Sequence, residues 1–542
     1  MQIAKPYHKA TKKGNTTFNH AWNTLRPSPR ALPFAFRQKR YFCRQFTICS
    51  MLKFMKHLVY LLLLAMLAGH LFFLTSDPDQ LVDVHTRGAF TDEGLYSAQA
   101  RNFVHSGSFG FTDNTTLVRG PLFGALQIPF FAVAGTSRMV ARLITVAAVM
   151  LALWLLTARP RWRWFALLLA AVAFAHFRVF QFTHYAMAEM VSVAAVVVSF
   201  LFLQFYFINK KKKNLALAAL MIFVAYGLKI QFAYLAALLP TVVALFGLSK
   251  WLKKEISFKT FVSDTAILTG FTLAFALLYF VIWYLPNKDF YDAVMAEQTG
   301  GIFEVWERIN LTIDFNFNYY IWDAPNIPLL IFFGVALLLW ILSAFGGIFK
   351  IKNHLVILFG FIWTLAELHK LGMLYLPQRY LLGLYVAAGF FAAAVLYQFI
   401  EKGKIAKIIV LSAAVMVLLF NGWYNLEAYN RRSWQLQAAN NYLQNFDWNN
   451  RVVAGAWAPS ITWGTAARTM PVWLGITDPG FLQEENLPAM IVMEADQADS
   501  ELFYDINNFD LQAHTDSMKT FEVWKYKLEL RWISPREQVP GN

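Results

Sequence analysis

The sequence predicts an α-helical polytopic membrane protein with about eleven transmembrane helices, a large first outer loop and a small C-terminal α/β domain outside the cytoplasm. Three observations predict it. Only 15% of the 542 residues are charged while 57% are hydrophobic, against about 25% charged in an ordinary soluble chain. Apolar runs, most close to the ~20 residues needed to cross a bilayer, recur between residues 57 and 424. Short Lys and Arg clusters separate alternate pairs of these runs, as cytoplasmic loops do under the positive-inside rule.

The formal charge of +15 does not indicate nucleic-acid binding, because ten Lys or Arg lie within residues 1 to 50 and the first acid of the chain is Asp77. Most other cations sit in the short clusters between spans, where topology accounts for them. Residues 1 to 55 form a basic tail read in two ways: translation starts at Met51 or Met55, or the segment is a disordered cytoplasmic tail. The run from 57 to 74 lacks a small-x-small cleavage site and reads as an uncleaved signal anchor. Cys43 and Cys49, the only cysteines, have no metal-spaced partners, so neither a disulfide framework nor a zinc site is expected.

Charge placement then threads the chain. The first helix leaves the cytoplasm, and residues 75 to about 136 form the first outer loop, where Tyr96, Ala100, Phe103 and Val104 repeat at helical spacing along the membrane surface. Runs at 137–157 and 164–180 flank Arg159, Arg161 and Arg163 on the inside, and the chain re-emerges at 181–189. Spans at 191–208, 215–229 and 231–248 are punctuated by Lys210 to Lys213 and by Lys250, Lys253 and Lys254. The run 262–284 leads to an acidic outer loop, 285–326. Spans at 327–348, 354–369 and 380–400 follow, with Lys350, Lys352, Lys402, Lys404 and Lys407 inside, and the last ends near Tyr424. Three domains result: the tail 1–55, a membrane domain 56–424 and an extracytoplasmic α/β domain 425–542 with short β-like runs. The location implied is a bacterial plasma membrane with the N-terminus cytoplasmic and the C-terminal domain outside.

Ionisable residues gather on the outer face. Asp92 and Glu93 stand at the start of the surface helix, where a carboxylate serves as a general base or, in the competing reading, as a helix cap. Glu189, in His184-Tyr-Ala-Met-Ala-Glu189, stands at the mouth of a span and needs a partner or a task, since an ionisable group there costs about 2.5 to 3.5 kcal/mol. Lys229 ends Gly-Leu-Lys at an outer helix end, where snorkelling competes with function. Arg119, in Arg-Gly-Pro-Leu, and Arg379, in Pro-Gln-Arg-Tyr380, are cations on the face that the positive-inside rule disfavours. Guanidinium groups there suit phosphate oxygens.

These motifs, taken in order, resemble the C-type membrane glycosyltransferases, the superfamily of protein O-mannosyltransferases and of aminoarabinose transferases that modify lipid A. The likeness spans about residues 55 to 400 and is carried by Asp92-Glu93-x-x-Tyr96, Arg119-Gly-Pro-Leu, His184 to Glu189, Gly-Leu-Lys229 and Pro-Gln-Arg379-Tyr380. It implies sugar transfer from a polyprenyl-phosphate-linked donor to a hydroxyl of a lipid, polysaccharide or protein acceptor. Asp92 would be the catalytic base with Glu93 beside it, Glu189 and His184 would be the second-loop acid and its neighbour, and Arg379, Arg119, Lys229 and Tyr380 would hold the donor phosphate. Glu189 stands where the family pattern has Asp. Some members use a divalent metal and others do not, so a metal is left open. The alternative reading is a transporter or flippase of lipid-linked sugars, for which inverted repeats and broken mid-membrane helices are the signature; the sequence shows neither.

Overall fold

The computed structural model of the chain describes residues 57–82, 87–107, 120–292, 302–345, 351, 353–374, 376–472, 477, 479–495 and 498–534. The basic tail, Arg119, Lys350 and Lys352 lie outside the described residues. Among those described, 8 helices are long and apolar enough to cross a membrane, from Arg138–Thr157 to Lys404–Asn430. Pro160–Phe174 and Phe177–Thr183 are together long and apolar enough for a further span, but they are bent by 90° at the break between them. Shorter apolar helices occupy His57–Leu71 and Lys213–Leu228, where spans were expected, and Pro121–Ala134, within the first outer loop.

The basic turns meet at one end of the bundle. Arg159 lies over the Phe205 ring, Tyr397 donates to the Arg161 carbonyl, Lys407 lies over Trp164, and Gln398 bonds the backbone of Asn353. Contacts between residues far apart in sequence thus bring together turns that charge and hydropathy had assigned to one face.

One span departs from the sequence expectation of a continuous run at 164–180. A π-helical turn, Ala170–Phe174, is followed by an extended His176 (φ −55°, ψ 132°), and the chain turns by 90° into Phe177–Thr183. Such a break frees backbone donors that lipid cannot satisfy. Asn421, from the last long helix, accepts from Phe177 N at 2.8 Å, and Gln181 donates to Asn425 at 2.9 Å. A broken helix is therefore present where the apolar pattern gave no warning, because its repair comes from 244 residues downstream.

The first outer loop holds the helix Ala89–Ser106, which the apolar spacing had placed along the membrane surface. It is instead covered by the C-terminal domain, and most of its side chains are buried. That domain is a five-stranded sheet in the order β2-β1-β3-β5-β4, with β1 (Val452–Ala454) parallel to β2 (Arg468–Met470) and to β3 (Met490–Glu494), and with β5 (Tyr526–Ile533) antiparallel to β3 and to β4 (Thr515–Val523). Its core of Trp448, Trp457, Val453, Met490 and Leu530 takes in Phe90 from the loop helix. Phe90 stacks on Trp524 with centroids 5.8 Å apart. The last long helix runs on to Asn430 before this domain begins.

Candidate active site

The loop helix is locked from the domain side. Gly94 packs against the backbone of Pro459 and Ser460, in contact too close for any Cβ, and Ser460 Oγ donates to the Thr91 carbonyl at 3.1 Å. Arg101, buried, donates to the carbonyls of Gly94 (3.1 Å) and Pro459 (2.5 Å) and to Thr462 Oγ1, and lies over the Trp463 ring. Asn102 bonds the Thr469 backbone in both directions, Nδ2 to O and Oδ1 from N, each at 3.0 Å. A helix held this way fixes the direction in which its first turn points.

Asp92 and Glu93 leave that first turn toward different partners. Glu93 receives Arg142 Nε at 2.7 Å and Nη2 at 2.5 Å, and Ala186 N at 2.7 Å. Arg142 Nη1 in turn donates to the carbonyls of Phe73, Leu74 and Ser76. Glu93, expected beside the base, is thus engaged in tying the loop helix to the first helix end and to the turn that launches Glu189. Asp92 does not cap the helix: the N-cap is Gly88, without a side-chain cap bond, and Asp92 N already donates to the Gly88 carbonyl at 3.0 Å. Its carboxylate faces Arg379, with Nη1 2.9 Å from Oδ2.

Around that pair several helix ends converge, at the end of the bundle away from the Lys-rich turns. Glu189 Oε1 lies 2.9 Å from Lys229 Nζ and 3.7 Å from Arg379 Nε. Lys229 also bonds the Tyr96 hydroxyl and lies over the rings of Tyr96 (4.2 Å) and Tyr380 (5.3 Å). Gly120, of Arg-Gly-Pro-Leu, abuts the Leu228 carbonyl beside Lys229. Burial raises the Asp92 carboxyl above the ordinary carboxylate range, while the charges of Arg379 and Lys229 pull it back. Neither oxygen of Glu189 is aligned in a hydrogen bond with a donor side chain among the described residues.

Two ionisable side chains that the sequence reading passed over, Glu367 and Lys370, complete the cluster. Glu367 accepts from Trp363 Nε1 at 3.2 Å, bonds Tyr234, and pairs with Lys370 Nζ at 2.6 Å; Lys370 donates to the Tyr380 carbonyl at 3.0 Å, next to Arg379. The signal was Glu-x-x-Lys at the end of an apolar run, two ionisable groups where each is expensive. His184 is not part of the cluster: it stacks on Phe73 with centroids 4.7 Å apart and meets His70 at 3.5 Å. No group of three or more His, Cys, Asp or Glu among the described residues is arranged to hold a metal ion. A dication between Asp92 and Glu189 would meet the fixed charges of Arg379 and Lys229.

Solved structures of ArnT and of an archaeal oligosaccharyltransferase are similar to this chain. ArnT from Cupriavidus metallidurans, bound to undecaprenyl phosphate, is 13% identical with a TM-score of 0.49, covering 88% of this chain and 98% of its own. The Archaeoglobus fulgidus oligosaccharyltransferase in complex with Zn and sulfate is 12% identical with a TM-score of 0.47, covering 86% and 72%. The oligosaccharyltransferase AglB of the same organism, with an inhibitory peptide and a dolichol-phosphate, is 12% identical with a TM-score of 0.40, covering 90% and 75%. No protein-family model matches the chain, and no curated protein matches it.

Proposed function

We propose that this protein transfers a sugar from a polyprenyl-phosphate-linked donor to an acceptor hydroxyl on the extracytoplasmic face of the membrane. The observation that carries the reading is the buried Asp92 carboxylate opposed to Arg379, with Lys229 beside Glu189, at the end of the bundle away from the Lys-rich turns. A lipid-linked donor reaches such a site laterally from the bilayer, so no nucleotide pocket is needed. Arg379 and Lys229 hold the phosphate, whose developing charge they stabilise as the bond from C1 to the phosphate oxygen breaks. Asp92 takes the proton of the acceptor hydroxyl as its oxygen bonds C1. Phosphate arriving at Arg379 competes with Asp92 for the guanidinium and so makes the carboxylate more basic as the donor binds.

The transporter reading draws on the 90° break in the second long element, the kind of discontinuous helix that transporters use. One experiment separates the two. Purified Asp92→Asn, folded by its thermal unfolding in detergent, is assayed for sugar transfer from a synthetic polyprenyl-phosphate donor and, in proteoliposomes, for flipping of a fluorescent polyprenyl-phosphate sugar. The expected result is loss of about 10² to 10⁴ in transfer rate. Transfer within about threefold of wild type eliminates Asp92 as the base, and wild-type flipping without transfer eliminates the enzyme.

A further inference from the structure

A cavity of about 410 Å³ is lined in part by the segment that carries Arg379. Its walls include Val82, Arg178, Tyr320, Asp323, Gln378 and Tyr424, and Gln378 immediately precedes Arg379 in the buried turn Gln378–Leu381. Arg178 comes from the short helix beyond the 90° break, Asp323 from the outer loop before Ala324–Asn326, and Tyr424 from the last long helix.

The guanidinium in the wall of this cavity is already engaged. Arg178 Nη2 pairs with Asp323 and Nη1 donates to the Val82 carbonyl at 2.8 Å. With its amide oxygen turned toward the guanidinium, Gln378 accepts from Arg178 Nε at 2.6 Å and from the Tyr385 hydroxyl at 2.8 Å. Among the described residues of the wall, Arg178 and Asp323 are the two ionised side chains, and they cancel in charge. A phosphate here would have to displace a carboxylate or lie against it. A neutral polyol meets no such penalty, because Asp323, whose side chain is 31% exposed, offers acceptor oxygens, while Gln378 and the tyrosine hydroxyls supply both donors and acceptors. The rings of Phe177, Tyr320 and Tyr424 give apolar faces on which the C–H side of a pyranose can lie. A volume near the lower end of the ~300 to 1,000 Å³ range of small-molecule sites fits one or two sugar units.

We infer that this cavity is a saccharide subsite that takes a neutral sugar unit of the donor or of the acceptor and registers it against the phosphate cations through the Gln378–Arg379 peptide. The inference rests on the transfer reading for which substrate supplies the sugar, but the binding itself is testable without turnover. The full chain in detergent is titrated to about 100 mM with methyl α-D-mannoside, methyl β-D-galactoside and methyl β-L-arabinoside, and with sodium phosphate at matched ionic strength, following the thermal unfolding midpoint. At least one glycoside should raise it by about 1 to 3 °C, the size expected when ligand exceeds its dissociation constant about tenfold. The rise should persist in Asp92→Asn and vanish in Asp323→Asn and in Tyr424→Ala, two variants at different walls so that one misfolded protein does not end the test. Failure of every glycoside to stabilise wild type overturns the proposal, as does a full-sized rise in both wall variants. Stabilisation by phosphate instead, lost in Asp323→Asn, makes the cavity an anion site and overturns it too. In the transfer assay Asp323→Asn should raise one KM by about 3- to 10-fold, the worth of one hydrogen bond; the donor's KM assigns the sugar to the donor, the acceptor's KM to the acceptor, and neither moving overturns the subsite. If Asp92→Asn keeps transfer while the glycoside rise depends on the wall, the base assignment fails and the cavity stands.

Discussion

Two neighbouring carboxylates on one helix turn show how differently the same chemistry can be used. Glu93 is saturated: a guanidinium fork and a backbone amide fill its oxygens, and Arg142 spends its remaining donors on three carbonyls. Asp92, one residue earlier, instead faces Arg379, in a group of acids and cations that also holds Glu189 and Lys229. A fully satisfied buried network rigidifies what it joins. The first holds the helix; the second is what the helix holds out.

The sharpest way to break this comparison is to neutralise each carboxylate in turn. Asp92→Asn should melt within about 1 kcal/mol of wild type yet lose 10² to 10⁴ in transfer rate. Glu93→Gln should do the reverse, losing about 3 to 5 kcal/mol of stability by leaving Arg142 buried without its counter-charge, while the folded fraction keeps turnover. If the two variants exchange phenotypes in detergent melts and rate assays, the division of labour is wrong.

The cation is tested next. Arg379→Ala should raise the donor KM more than about tenfold, and Arg379→Lys should recover only part of it, because a point charge cannot reproduce the fork. Donor kinetics unchanged in folded Arg379→Ala would remove it from phosphate binding.

A smaller effect is expected in the pH profile. Burial raises the Asp92 carboxyl, and Arg379 and Lys229 lower it in part. A base works only when deprotonated, so kcat/KM should fall as pH drops through that raised value, with the acid limb above the ~3.9 of a free aspartate. Arg379→Gln removes part of the downward pull, so its acid limb should move to higher pH. A limb that stays put assigns the titration to another group. The smallest effect belongs to the domain contact: Ser460→Ala deletes the bond to Thr91 and should lower stability by about 1 kcal/mol with both KM values unchanged.

Much of the architecture was legible because hydropathy and charge are local signals. The run at 57–74 and the spans from 137 to 424 each have a helix in the structure, and the Lys and Arg turns between them share one end. The break at His176 was not legible, since the chain around it is as apolar as a continuous span and the amide that repairs it belongs to Asn421. Nor was the burial of the helix Ala89–Ser106, whose apolar spacing fits a membrane surface as well as the domain that covers it. Among the candidate residues, Asp92, Glu189, Lys229, Arg379 and Tyr380 come together, whereas His184 packs among rings and Glu93 faces Arg142.

Sequence by itself determined that the chain is a helical membrane protein with a polar C-terminal domain, and it singled out ionisable residues at helix ends as expensive to bury. Composition and period suffice for that, because lipid imposes the same helix length and backbone satisfaction on every span. Tertiary structure alone decided which acid meets which cation. Asp92 and Glu93 are equivalent in composition and consecutive in the chain, and only the 100° step between adjacent helix residues, read against Arg142 on one side and Arg379 on the other, sends one into a clamp and the other toward Lys229 and Glu189.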